Sequence, residues 1–169
     1  MSDVSEMPAM LHTGLTWEQT PAGFTYRTAA RTVTEADLAF FVNLTGFTEP
    51  LFYDARHSAT AGYTGRLVPG ALVYVLAEGL IQQSLALHGT GLAFMHLELT
   101  LSGPTYVGDT LCVVVETLES RATSRPGRGV VTTRCSVVNQ DQVTVAVFTP
   151  VRLVRGADRS MEDSPCIST

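Results

Sequence analysis

"GALVYVLAEGLIQQSLALH", residues 70–88, decides the fold. Its first eight residues carry no charge, Glu78 is the only carboxylate, and Pro69 stands immediately before it. A strand over Leu72–Leu76 competes locally, but the length of the run favours a helix, roughly 28 Å long at about 1.5 Å per residue. Apolar residues occupy most sides of that helix, so it belongs inside the protein rather than on its surface. It is too short, and too polar after Glu78, to cross a bilayer. Tyr74, Glu78 and Gln82 recur every fourth residue and share one face.

Strand patterns follow. In "LAFMHLELTL" (92–101), Met95, Leu97, Leu99 and Leu101 alternate with Phe94, His96, Glu98 and Thr100, which predicts a strand with two distinct faces. "GDTLCVVVETLES" (108–120) reads as a long strand. Residues 129–154 read as two strands around the turn Asn139-Gln140-Asp141. Ahead of the central run, "FTYRTAARTV" (24–33) has strand character. "TEADLAFFVNLTG" (34–46) reads as a helix capped by Thr34, with Asp37 as its capping-box partner and Gly46 as its stop. "YDARHSATAG" (53–62) fits a short helix begun by Asp54. One buried helix followed by antiparallel strands implies an α+β domain, the sheet wrapped around the helix. Its long edges call for dimerisation. The expected organisation is a flexible arm at 1–11, the domain at 12–154 and a disordered polar tail at 155–169.

Composition narrows the function. The chain has 169 residues, 45% hydrophobic and 16% charged, with a net charge of -5. Every cation is an arginine, and none of the eleven stands in a basic run, so the footprint of a nucleic-acid binder is missing. Cys112, Cys135 and Cys166 lack CxxC spacing, and His12, His57, His88 and His96 form no HxxxH or HxH pair. Neither a disulfide framework nor a metal site is expected. The acidic start "MSDVSEMPAML" has no apolar run of the signal-peptide kind, so the cytoplasm is the expected compartment.

The densest stretch is "TGFTEPLFYDARHSATAGYTGRLVPGA" (45–71). Thr45-Gly46-Phe47-Thr48-Glu49-Pro50-Leu51-Phe52-Tyr53-Asp54 resembles the signature [ST]-G-D-x-N-P-x-H-x-D of the MaoC-like dehydratases, which include the (R)-specific enoyl-CoA hydratases. Tyr63 to Ala71 resembles that family's F-G-G-R-I-A-H-G-M. "GPTYVGDTL" (103–111) and "GRGVVTTRCSVVNQD" (127–141) resemble two later elements. Together they cover roughly residues 28 to 153.

The resemblance implies a single hotdog domain acting on an acyl-CoA thioester, a lyase-type hydratase or dehydratase. Coenzyme A enters as part of the substrate, with no separate cofactor. The partners implied are a small acyl-CoA and further copies of the chain, as a homodimer or a dimer or trimer of dimers. No nucleic acid or membrane is involved.

The departures from the signature bear on mechanism. In that family the Asp after Gly and the His after Pro-x form the acid–base pair; here those positions hold Phe47 and Phe52. Phenylalanine transfers no proton, whereas such a pair ordinarily contributes about 10²–10⁴ in rate. Glu49 replaces the Asn and Pro69 the second His. What the resemblance retains is the carbonyl cradle: Gly70 matches the glycine whose N–H holds the thioester oxygen, at a helix N-terminus with unpaired donors. Ala71, Phe47, Phe52 and Tyr63 complete the expected binding wall.

Three carboxyl or imidazole groups are candidates for the missing chemistry. Glu49 stands between Phe47 and Phe52, either as a desolvated acid–base group, as a solvated loop carboxylate, or as one paired to an arginine such as Arg66. His57 follows Asp54 by one turn, which allows Asp54 to orient it or simply to cap the helix. Glu78 sits where "PGALVYVLAE" resembles a hotdog thioesterase pattern. It either activates water there or is hydrogen-bonded to Tyr74 or Gln82. His96 and Glu98 share a strand face that is solvated or turned to a second subunit. A third possibility is an acyl-CoA binder that catalyses nothing.

Overall fold

The computed structural model describes residues 12–157. A six-stranded antiparallel sheet is built from β1 (Thr25–Arg27), β2 (Arg31–Thr32), β3 (Gly91–Leu101), β4 (Thr110–Ala122), β5 (Arg128–Val138) and β6 (Thr144–Arg155). The strand order is β1-β4-β5-β6-β3, with β2 also paired to β4. Four helices precede β3: α1 (Glu35–Thr45), α2 (Pro50–Tyr53), α3 (Ala55–Thr60) and the central α4 (Gly70–Gln83). The concave face of the sheet packs on α4. Leu72, Val73, Ala77, Leu80 and Ile81 meet Val113, Val115, Cys135, Val137 and Phe148 in one buried core. This is the α+β hotdog arrangement that the sequence implies.

Local signals work as their chemistry dictates. The Thr34 hydroxyl accepts from the Asp37 N–H at 3.2 Å, and Asp37 in turn accepts the Thr34 N–H at 2.9 Å. Gly46, at φ 70°, ends α1 in the left-handed conformation open to glycine. Residues 24–33, read as one strand, are two. Thr28 lies between them, buried, and its hydroxyl oxygen accepts the Val113 N–H at 3.0 Å, replacing a ladder bond at the break.

Three expectations are corrected. The central helix stops at Gln83 rather than His88. The Ser84 hydroxyl takes the Ile81 carbonyl at 2.6 Å, and Leu85 turns to φ 60°, which ends the helical path. Second, β3 carries a bulge between Phe94 and His96. The extra residue shifts the alternation. Phe94, opposite Arg152, therefore shares the inner face with Leu97, Leu99 and Leu101, and not the face of His96 and Glu98. Third, the domain extends past its expected end at 154. Arg155 closes β6, and the buried Gly156 donates its N–H to Gly127 O at 2.7 Å. The arm expected at 1–11 and the tail from 158 on lie outside the described residues.

Candidate functional site

The N-terminal end of α4 is held in place by an antiparallel contact with the loop before β4. The Val68 N–H donates to Thr105 O and the Val107 N–H to Arg66 O, each at 2.9 Å, around the Leu67–Tyr106 bridge. Asp109 fixes that loop, accepting from the Tyr106 N–H at 2.8 Å and from Gln140 at 3.0 Å. Gly108 supplies the φ of 98° that the turn requires. The stretch 103–111 thus serves to aim the helix.

Pro69 caps α4 without a side-chain bond, and Gly70 is its first residue. The Gly70 N–H has no hydrogen-bond partner among the described residues. It is one of the orphan donors at the positive end of the helix. Gly70 is half-buried and Ala71 exposed. The Leu101 side chain of β3 lies over Gly70: a Cβ there would come within 2.0 Å of Leu101 Cδ1, so glycine is what lets β3 approach the helix tip.

Phe41, Phe47 and Phe52 form a chain of rings with centroids 5.7 and 5.8 Å apart. The two positions matched to the acid–base pair therefore meet in space, and what meets there is apolar. Beside Phe52 a cavity of about 90 Å³ is lined by Leu38, Val42, Asn43, Tyr53 and Arg66. Tyr63 is half-buried, its N–H bound to Ser58 O at 3.2 Å. Phe40, at 71% exposure, points away from the core.

Glu49 is exposed at the start of α2 and makes no capping bond. Arg66 does not pair with it: the guanidinium binds Glu35 at 3.1 Å and donates to Phe52 O at 2.6 Å. His57 is exposed on α3. Asp54 does not orient its ring, because the carboxylate is held by Arg56, at 3.2 and 3.1 Å from the side chain and 2.9 Å from the backbone N–H. That hydrogen bonding brings the Asp54 pKa down to about 2. Asp54 is a helix cap.

Glu78 lies eight residues beyond Gly70, about 12 Å along the axis. Both its oxygens are engaged, Oε2 by Arg152 at 2.6 Å and Oε1 by Gln82 at 2.9 Å. Of the two partners expected, Gln82 is present. Tyr74 instead packs edge-on against Phe148, ring centroids 5.2 Å apart, and burial pushes its hydroxyl pKa up. Arg152 escaped the sequence reading. The signal was there: an arginine on the inward parity of β6, flanked two residues away by Pro150 and Val154, both buried. Cys112 and Cys135 are free thiols, the latter raised in pKa by burial, while Cys166 lies outside the described residues.

Known proteins share this architecture. The family described as FAS1-like, dehydratase domain region, matches residues 21–148. The mitochondrial 3-hydroxyacyl-[acyl-carrier-protein] dehydratase FERN of Solanum lycopersicum is 30% identical over 106 residues, 63% of this chain and 62% of that protein. The chain thus matches about six-tenths of the length of this curated relative. Among solved structures, the monoamine oxidase regulatory protein from Archaeoglobus fulgidus superposes with a TM-score of 0.79 at 25% identity, over 89% of this chain and 100% of that one. The MaoC-like dehydratase from Rhodospirillum rubrum gives 0.72 at 26% identity, over 86% and 99%.

Proposed function

Because the chain belongs to the FAS1-like dehydratase-region family and carries the MaoC-like hotdog fold, we propose that it binds an acyl thioester at the N-terminus of α4 without the family's acid–base pair. One observation carries this reading. The Phe47 and Phe52 rings are in contact where the pair would stand, while the Gly70 N–H is left without a protein partner. An oriented backbone N–H at a helix tip is a donor for a thioester oxygen. Hydration or dehydration also needs a proton donor and a base within hydrogen-bond reach of the substrate. Glu49 and His57 are solvated and lack an orienting partner, and Glu78 is committed to Arg152 and Gln82.

The protein works as a homodimer in this reading. β3 is a free edge of the sheet, and its Phe94, Leu99 and Leu101 are 47%, 38% and 52% exposed. An unpaired apolar edge of this length is covered in working proteins.

The test uses three acyl-CoA experiments on the full chain. Thermal stabilisation by saturated and enoyl acyl-CoA, with no loss of enoyl-thioester absorbance and no free thiol, is the expected result. Loss of absorbance that disappears in Glu49→Gln or His57→Gln would replace binding with catalysis by that residue. Thiol release abolished in Glu78→Gln would assign a thioesterase. No stabilisation by any acyl-CoA overturns the reading.

A further inference from the structure

At the end of the molecule remote from Gly70, β5 begins where β6 ends, and Arg128 stands directly opposite Arg155 in the ladder. Residues so paired sit about 5 Å apart at Cβ, and like charges at that spacing repel. Most of the described arginines are paired with a carboxylate. Arg31, Arg56, Arg66, Arg121, Arg134 and Arg152 each have a carboxylate between 2.5 and 3.2 Å away. Arg128 and Arg155 have none among the described residues, and neither have Arg125 in the preceding turn and Arg27 of β1. Glu18, close to Gly156, is occupied by the Ala157 N–H at 3.2 and 3.3 Å.

The two arginines line a cleft of about 470 Å³, walled also by Gly14, Gly89, Thr90 and Gly127. Thr90 is 1% exposed, and its hydroxyl has no hydrogen-bond partner among the described residues. Gly14 brings the opposite wall in: a Cβ there would lie 2.8 Å from Thr90 Oγ1. Repelling guanidiniums and an unpartnered buried hydroxyl therefore line one space. All three are donors, and together they ask for an anion with several acceptor oxygens.

We propose that this cleft is a binding site for a phosphate-type anion, distinct from the acyl site at Gly70. The Arg128 and Arg155 forks bind the phosphoryl oxygens, and the Thr90 hydroxyl donates a further hydrogen bond. The phosphate belongs either to the nucleotide end of a coenzyme A ester or to a free phosphate, and the chemistry of recognition is the same.

The experiment is calorimetric titration of the full chain with inorganic phosphate and with adenosine 3′,5′-bisphosphate, at low and at moderate salt. At least one of the two binds, more weakly at higher salt, and Arg128→Gln or Arg155→Gln weakens that binding at least tenfold. Thr90→Val weakens it severalfold while leaving the melting temperature close to that of the parent. A second readout guards against misfolded variants: in phosphate-free buffer Arg155→Gln raises the melting temperature, because it removes the repulsion. Bound bisphosphate displaced by acyl-CoA but not by acyl-pantetheine identifies the nucleotide end as the source; displacement by neither identifies a free phosphate. Absence of binding by both anions, or unchanged binding in the double variant, overturns the proposal. Stabilisation by acyl-pantetheine, which lacks the nucleotide, reports on the Gly70 site separately.

Discussion

Arg152 of β6 reaches across the interior to Glu78 of α4, Nη2 to Oε2 at 2.6 Å, and its guanidinium carbon sits 5.3 Å from the centroid of the Phe94 ring. Sheet, central helix and edge strand are tied at one charged point. The side chains are only 8% and 20% exposed, so neither charge is well solvated.

Removing one partner of such a pair leaves the other charge buried. Glu78→Ala should lower the unfolding free energy by about 3–5 kcal/mol in urea titration. Glu78→Gln combined with Arg152→Met should cost clearly less than the sum of the single changes. Additive costs would show that the two groups do not act as a pair.

Gly70→Ala places a methyl group against Leu101 Cδ1, a separation of 2.0 Å before relaxation. Leu101 Cδ1 is the end of a half-exposed side chain that can turn aside, so the melting temperature should fall only slightly. Adding Leu101→Ala should return the stability. Stabilisation by acyl-CoA should remain weak in both variants, because the methyl still crowds the helix tip.

Partial burial disfavours the ionised form of Asp37. The hydrogen bonds from the Thr34 hydroxyl and N–H, with those from Arg31, outweigh it and lower the pKa. A folded pKa below the unfolded one means that the carboxylate stabilises the fold above the unfolded value of about 3.9, and that this is lost as the pH falls through the folded value. The gap in melting temperature between the parent and Asp37→Asn should therefore be full at pH 6 and narrow in acid. Thr34→Ala, which removes the cap, should cost about 1 kcal/mol at pH 6.

Asp54 owes its pKa of about 2 chiefly to the Arg56 side chain. In Arg56→Ala, carbon-detected titration should find it moved up toward the usual value of about 3.9. Because the pair is exposed, the melting temperature should hardly change.

Leu99→Arg places a charge on the inner side of the free edge strand, at a residue already 38% exposed. The parent should sediment as a dimer at micromolar concentration and the variant as a monomer. A parent that is monomeric would remove the proposed dimer.

Much of the fold was legible because it rests on local physics. Thr34, Asp37 and Gly46 bound α1 through hydrogen bonds and φ angles that involve near neighbours only. The uncharged run after Pro69 had to be buried, and the alternating strands had to cover it. What misled were places where a distant group intervened. The Phe94–His96 bulge shows only in the pairing with β6, and the Ser84 and Leu85 geometry ends α4 at Gln83, six positions before the next glycine. The candidate site was legible only in its backbone frame. Gly70 and the loop at 103–111 stand where the motifs put them, but the charged candidates took partners that no spacing announces: Arg66 to Glu35, Asp54 to Arg56, Glu78 to Arg152.

By itself, then, the sequence determined that a glycine begins a buried helix and that Phe47 and Phe52 flank Glu49, since both are statements about residue type at a position in the chain. Only the tertiary structure decided that Phe47 and Phe52 touch, that Leu101 lies over Gly70, and that Arg128 stands opposite Arg155. Ring contacts, close packing and charge pairing depend on distances between residues far apart in the chain, and those distances come into being only when the sheet closes around α4.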